Sequence, residues 1–398
     1  MIYLNNAATS WPKPEDVYRA ADYTLRHLAG SPGRGHSSWS LETGQTLVET
    51  RELLATLFNI QEPEHIIFTS GATMSLNLAL KGFLNPGDHV IISSMEHNSV
   101  ARPLFSLRAS GVEVSIAQCS PEGTLDPREV EALISPRTKL ICLTHASNVT
   151  GAILPIAEVG EIARRHGVYF LVDAAQTAGE LSIDVEEAHI DFLAFTGHKA
   201  LFGPPGTGGL YIRHPEKLYP LIEGGTGSHS EAFTQPEIMP DKFESGTPNA
   251  PGIAALGAGV KFILKTGLER IRAHNLRLLE FLLEGLKEIP GLTLYGPGKS
   301  DSMIPVVSLN IEGISPGEAC AWLAERYGII TRSGLHCAPL AHQTIGTLAT
   351  GTLRLSPGFF NTEEEIEKAL AGLRELVKEV RGECRSLPFL PFPPPTRP

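Results

Sequence analysis

The chain has 398 residues, of which 42% are hydrophobic and 19% charged, and its formal net charge is −11. That composition is ordinary for a globular protein and excludes disorder or a fibrous repeat as its main content. The acidic balance argues against nucleic acid or an anionic membrane as partner, and no apolar run reaches the ~20 residues that span a bilayer. The amino terminus opens on a structured segment and not on a basic, then apolar leader, so a cytoplasmic location is expected. The length exceeds the point at which single cores stop growing, which predicts two domains.

In chain order, apolar positions at helical spacing predict a helix over 14–28, broken at Gly30. A loop rich in Gly, Ser and Arg, SPGRGHSSWS at 31–40, precedes a second helical pattern over 41–58. Ile66, Ile67 and Phe68 predict a short buried strand ending in TSGAT. Apolar or β-branched stretches at 89–93, 113–117, 140–144, 169–172 and 192–195 then alternate with helix-length segments. This is the pattern of an α/β sheet with buried, mostly parallel strands. GPPGTGG at 203–209 and EGGTGSHS at 223–230 are too rich in glycine for element interiors and read as loops. Helices over 252–265, 268–288, 316–327 and 363–380, the last capped by Asn361 or Thr362, join strands at 306–310 and 352–356 in a compact α+β unit. The expected division is a large α/β domain over 15–250, a small α+β domain from 1–14 and 251–382, and a Pro-rich surface tail over 383–398, where neither helix nor central strand can form.

The five cysteines, Cys119, Cys142, Cys320, Cys337 and Cys384, are odd in number and far apart, without the paired CxxC of a zinc site or a disulfide framework, so no metal is expected and a reducing compartment fits. Cys337 stands apart from the rest. In TRSGLHCAPLAH at 331–342 it follows Gly334 and His336 and precedes a small residue and Pro339, which is the setting of an accessible loop thiol. The strand at 169–172 delivers Asp173 at its carboxyl end, with Gln176 three residues on, where open α/β sheets collect ligands. An aspartate there can hold a protonated pyridine nitrogen, or it can simply cap the helix that follows. In FTGHKALFGPPGTGG, Lys199 leaves the next strand between His198 and glycine-rich backbone, a position from which an amine can reach an aldehyde. A lone lysine would be no more than a solvated amine.

The string around Lys199 resembles the lysine segment of the class V aminotransferase superfamily, which belongs to the fold-type I pyridoxal-phosphate enzymes, and within it the NifS/SufS-like cysteine desulfurases. The resemblance covers residues 3 to about 380 and includes, in the family's order, YLNNAATSWP at 3–12, TSGATMSLN at 69–77, MEHNSV at 95–100, ASNVTG at 146–151, ESGTPN at 244–249 and the Cys337 segment. It implies an α/β fold with a large, mostly parallel seven-stranded sheet domain and a smaller α+β domain. It also implies pyridoxal 5'-phosphate, with Lys199 as its Schiff-base lysine, Ala72 and Thr73 at the phosphate, His97 over the ring as holder and proton relay, and Asn148 towards the phenolic oxygen. Asp173 and Gln176 fall at the ring, Thr196 and His198 in the lysine segment. Thr247 is placed to reach the neighbouring subunit's phosphate, which implies a homodimer. A strand followed by Gly-Ala-Thr and an apolar helix independently presents N–H groups and a hydroxyl to an anion.

By the same resemblance, Cys337 thiolate attacks the sulfur of L-cysteine, leaving L-alanine and a persulfide that a sulfur-acceptor protein collects. Arg354, in TLRLS, is expected to grip the substrate carboxylate in a bidentate pair. Asn6, Ala7, His36, Asn148 and Arg332 are further substrate-side candidates. Selenocysteine lysis, C–S lysis or transamination on the same scaffold are alternatives, as is a non-catalytic binding or scaffold subunit. Two departures, Asn5 where many relatives carry aspartate and the continuation APLAHQTIGTLATGTLRLS after Cys337, point to a small SufS-like branch.

Overall fold

The computed structural model describes residues 1–28, 30–32 and 37–382, so the expected tail lies outside the described residues. The elements are β1 (Ile2–Tyr3), α1 (Glu15–His27), α2 (Ser38–Phe58), β2 (Ile66–Thr69), α3 (Ala72–Phe83), β3 (His89–Ser93), α4 (Asn98–Arg108), β4 (Glu113–Ala117), α5 (Pro127–Glu131), β5 (Thr138–Thr144), α6 (Ile156–His166), β6 (Tyr169–Asp173), β7 (Phe192–Thr196) and β8 (Gly208–Ile212). They continue with α7 (Ala250–Thr266), α8 (Leu268–Lys287), β9 (Leu292–Tyr295), β10 (Val307–Ile311), α9 (Pro316–Tyr327), β11 (Ile329–Ile330), β12 (Arg332–Gly334), α10 (Pro339–Thr344), β13 (Thr352–Leu355) and α11 (Glu363–Val380).

Seven strands form the large sheet in the order β2-β8-β7-β6-β5-β3-β4. The run from β4 to β7 is parallel, whereas β8 is antiparallel to both β7 and β2. Val90 to Ile92, Leu140 to Leu143 and Leu193 to Phe195 are fully buried, so their continuous apolar runs reflect a sheet covered on both faces. The register sets Thr144 beside Asp173 and Asp173 beside Ala194, which gathers the polar strand ends along one edge.

β8 corrects the expectation of a loop throughout GPPGTGG. Its glycines are a packing requirement: a Cβ on Gly208 would lie 2.6 Å from the Gly71 Cα, and one on Gly209 would lie 2.4 Å from the Phe195 ring. Composition alone therefore marks a loop where close backbone approach makes a strand.

The smaller sheet is antiparallel, ordered β12-β13-β10-β9, with a core in which Leu278, Leu282, Leu309, Leu323, Leu353 and Leu373 are buried. Thr362 begins α11 with a capping box: its side chain accepts from the Glu365 N–H while Glu365 accepts from the Thr362 N–H. α7 joins the larger core through Leu256, Val260 and Ile263. α8 bridges the two cores, with Ile271 in the larger and Leu278 to Leu286 in the smaller. β1 pairs in parallel with β11, which ties the opening segment to the smaller unit. Among the described residues, no helix is long and apolar enough to cross a membrane.

Candidate active site

A cavity of about 330 Å³ opens at the carboxyl ends of β5, β6 and β7. Its lining includes Ala7, Ala72, Thr73, His97, Asn148, Asp173, Gln176, Thr196, His198, Lys199 and Arg332, so residues from seven separate stretches of sequence converge here. Thr247 does not line it; that residue is exposed beside a larger groove. Asn6 also lies off the lining, its amide donating to the Ser356 carbonyl at 3.1 Å and to Asn361 Oδ1 at 3.2 Å. His36 falls outside the described residues.

Asp173 ends β6 and is 4% exposed, with one carboxylate oxygen accepting from the Ala175 N–H at 2.9 Å. Burial raises its pKa, and the Ala175 hydrogen bond and the Lys199 charge oppose the rise. Burial also brings the Lys199 amine down to about 8, with Arg354 and Arg332 lowering it further and Asp173 pulling the other way. The opening segment fixes the lysine turn from outside. Ser10 Oγ donates to the Lys199 carbonyl at 2.8 Å, and the Ser10 N–H, Thr9 Oγ1 and Lys13 Nζ all donate to the His198 carbonyl. Gln176 Nε2 holds the same segment through the Ala7 carbonyl at 3.1 Å.

His97 is the N-cap of α4, its Nδ1 accepting from the Ser99 N–H at 3.0 Å. A ring nitrogen that accepts carries no proton, which assigns the hydrogen to Nε2. Burial and the charges of Lys199, Arg332, Arg102 and Arg354 bring its pKa to about 4, so the imidazole is neutral near pH 7. Ser99 Oγ, 2.9 Å from His97 Nδ1, lies 2.7 Å from Thr73 Oγ1 and so links the ring to the opening turn of α3.

The cavity fits pyridoxal phosphate on its own geometry. Among the described residues no side chain caps α3, which leaves its first N–H groups for an anion, and Gly71 ahead of them has φ 143°, a conformation that favours glycine. A Cβ there would stand 3.3 Å from Thr196 Oγ1. Ala72, Thr73 and Thr196 would hold the phosphate, Asp173 the ring nitrogen, His97 the ring face, Asn148 and Gln176 its polar edge, and Lys199 the aldehyde carbon.

Cys337 reaches this site from the smaller unit. It is exposed, and Arg332 Nη2, from the cavity wall, lies 3.5 Å from its sulfur. His336 and Cys337 have φ 48° and 60°, a left-handed pair that few non-glycine residues adopt. Hydrogen bonds to the large domain hold it: the Asn98 N–H donates to the Cys337 carbonyl at 2.8 Å, and Asn148 Nδ2 donates to the His336 carbonyl at 2.7 Å. Cys119 and Cys142 are the opposite case, since burial pushes the first thiol up to about 11 and the second well above its ordinary value. Cys384 lies outside the described residues.

Arg354 is fully buried on β13. Its Nη1 donates to the Asn148 carbonyl at 2.9 Å and its Nη2 to Asn5 Oδ1 at 3.2 Å, whereas Nε has no partner among the described residues. Burial and the nearby Arg332 bring its pKa down to about 9, as befits a buried guanidinium that makes no ion pair among the described residues.

Sequence reasoning missed Ser99, Lys13 and Glu96. Ser99 could have been found as the second residue after a capping His97. Glu96 is fully buried, accepts from Ser93 Oγ at 2.5 Å and the Thr144 N–H at 2.9 Å, and is pushed up to about 8 by burial and by Asp173. Among the described residues, no group of three His, Cys, Asp or Glu is arranged to hold a metal ion.

The sequence profile of the aminotransferase class-V family matches residues 2–369, and the chain belongs to that family. The chain is 36% identical over 395 residues to a probable cysteine desulfurase of Halalkalibacterium halodurans, covering 96% of this chain and 94% of that one. It is 35% identical over 387 residues to a probable cysteine desulfurase of Methanothermobacter thermautotrophicus, covering 96% and 95%. Its fold matches the apo structure of a cysteine desulfurase from Thermococcus onnurineus NA1 with a TM-score of 0.89, at 34% identity over 95% of each chain.

Proposed function

We propose that this chain is a pyridoxal-phosphate-dependent cysteine desulfurase that converts L-cysteine to L-alanine and retains the sulfur as a persulfide on Cys337. The observation that carries the reading is the meeting of an exposed cysteine with Arg332, a residue of the same cavity wall as Lys199 and Asp173. When bound, pyridoxal phosphate supplies an electron sink for bonds broken at the substrate's α-carbon. The rest falls to the protein. Arg332, on the cavity wall, and its buried cross-strand neighbour Arg354 orient the substrate carboxylate; Lys199, with an amine brought down to about 8, moves the α-proton. His97, a cavity-lining imidazole with its hydrogen on Nε2, acts in its resting form as a donor and ring support. Cys337 thiolate attacks the substrate sulfur, the carbon–sulfur bond breaks, and protonation of the carbon skeleton leaves alanine.

The homodimer belongs to this proposal. Thr247 is exposed and does not line its own chain's cavity, and a groove of about 850 Å³ beside it is lined in part by Leu47, Val48, Met74, Phe243 and Ile253. In a pair of chains packed on this surface, Thr247 would reach the partner's phosphate. A cytoplasmic setting and a sulfur acceptor complete the reading. The reaction class is tested by giving the holoenzyme L-cysteine, L-selenocysteine and L-cystine separately and measuring alanine, pyruvate and protein-bound persulfide. Alanine with a stoichiometric persulfide from L-cysteine is expected; pyruvate would overturn the desulfurase reading in favour of β-elimination.

A further inference from the structure

Cys337 faces two spaces. On one side Arg332 connects it to the cofactor cavity. On the other it lines a separate cleft of about 390 Å³ between α3 and α4, whose wall includes Thr73, Asn77, Lys81, Arg102 and Ser106. The two spaces share Thr73, His97 and Ser99, so the cleft lies on the outer side of the wall that closes the cofactor site. A thiol at this border can take sulfur on its inner side and surrender it on its outer side.

The cleft is also charged against the rest of the chain. The whole protein carries −11, yet among the described residues the cleft is lined by two cations and no carboxylate. Lys81 and Arg102 are both exposed and, among the described residues, neither makes an ion pair. Many of this chain's other exposed arginines do: Arg26 pairs with Asp22, Arg137 with Glu113 and Arg164 with Glu161. Asn77, by contrast, spends its amide on the Thr73 carbonyl at 2.9 Å and adds no charge to the wall. A cleft of one sign concentrates ligands of the other, and the effect is largest where the walls exclude water.

We infer that the cleft between α3 and α4 is the docking site of the sulfur acceptor, and that it selects a thiol carrying negative charge beside its sulfur, with Lys81 and Arg102 as the recognising cations. This rests on the persulfide reading of Cys337. In the step itself, the acceptor thiolate attacks the outer sulfur of the Cys337 persulfide. The persulfide S–S bond breaks, a new S–S bond forms on the acceptor, and Cys337 leaves as thiolate, with no external oxidant or reductant.

The test loads the holoenzyme with one equivalent of L-cysteine and then follows persulfide loss with mercaptosuccinate, 2-mercaptoethanol or cysteamine, each rate being corrected for that thiol's own reactivity. Wild-type protein is expected to discharge to mercaptosuccinate about tenfold faster than to the neutral thiol at low ionic strength, and salt is expected to erase the preference. The double substitution Lys81→Glu, Arg102→Glu should invert the order in favour of cysteamine. Because the readout is a ratio of thiols within one protein, a general loss of stability does not imitate it. A cysteine peptide flanked by aspartates, run against mercaptosuccinate, separates an acidic protein loop from a free small thiol as the source. A normal alanine burst followed by charge-blind discharge, or an order unchanged in the reversed variant, overturns the cleft assignment alone. No persulfide in the loading step removes the desulfurase reading itself.

Discussion

Lys199 and Cys337 approach one cavity wall from opposite kinds of backbone. Lys199 follows β7, whose residues are all buried, and its neighbours are strand ends in register, with Asp173 paired beside Ala194. Cys337 follows β12 on two consecutive left-handed residues and is exposed. The difference fits the two tasks proposed for these residues. A group that holds a cofactor through every turnover benefits from a position over-determined by packing, whereas a thiol that receives and then gives away sulfur needs access from both sides. Asn148 joins the two halves, with its amide nitrogen on the His336 carbonyl and its own carbonyl receiving Arg354.

Removing the central group of each half should separate them most sharply. Lys199→Ala is expected to cut alanine formation by about 10³-fold or more, since it deletes the group proposed to move the α-proton, and single-turnover alanine release measures it. Arg354→Lys should raise the KM for L-cysteine by roughly 10- to 100-fold, because a lysine cannot keep the Asn148 and Asn5 contacts while also meeting the carboxylate. An unchanged KM would take Arg354 out of substrate binding. Asn148→Ala should slow persulfide formation by about tenfold through loss of the loop anchor, seen by mass spectrometry of Cys337 after a timed quench.

Two pH effects are smaller and distinguish buried groups of opposite sign. With its pKa brought from 10.5 to about 8, Lys199 in the cofactor-free protein should reach half-maximal acylation near pH 8. Between those two values the unfolded chain binds the proton that the folded one has lost, so this lysine makes stability rise with pH across that window. Glu96, raised from 4.5 to about 8, does the reverse: the folded protein keeps the proton, and stability falls as pH climbs from 4.5 to 8. Glu96→Gln, which retains an acceptor for Ser93 and Thr144, should remove that fall, as seen by Tm measured at pH 6 and pH 8, with a difference on the order of 2 °C.

The half built on strand ends was largely legible in the sequence. Asp173 and Lys199 each follow a continuous buried run, and a polar residue after such a run in an α/β chain falls at the ligand edge. The other half was legible only in part. Cys337 could be singled out by its loop setting, but the contacts that hold it come from Asn98 and Asn148, far away in sequence, and no local pattern encodes them. Glu96 escaped because its partners Ser93 and Thr144 sit on two different strands, and β8 because its glycines answer to Gly71 and Phe195. Burial of Arg354 follows from β13 lying between β10 and β12, a topology that periodicity does not reveal.

The division of labour between the two halves is tested most directly by one single-turnover comparison of the wild-type holoenzyme with Cys337→Ala, given one equivalent of L-cysteine. The wild type should release alanine and carry one persulfide on Cys337, while the variant binds cofactor and substrate with an unchanged spectrum but forms no persulfide and little alanine. Full alanine release by the variant would contradict this account, because the sulfur would then leave without Cys337.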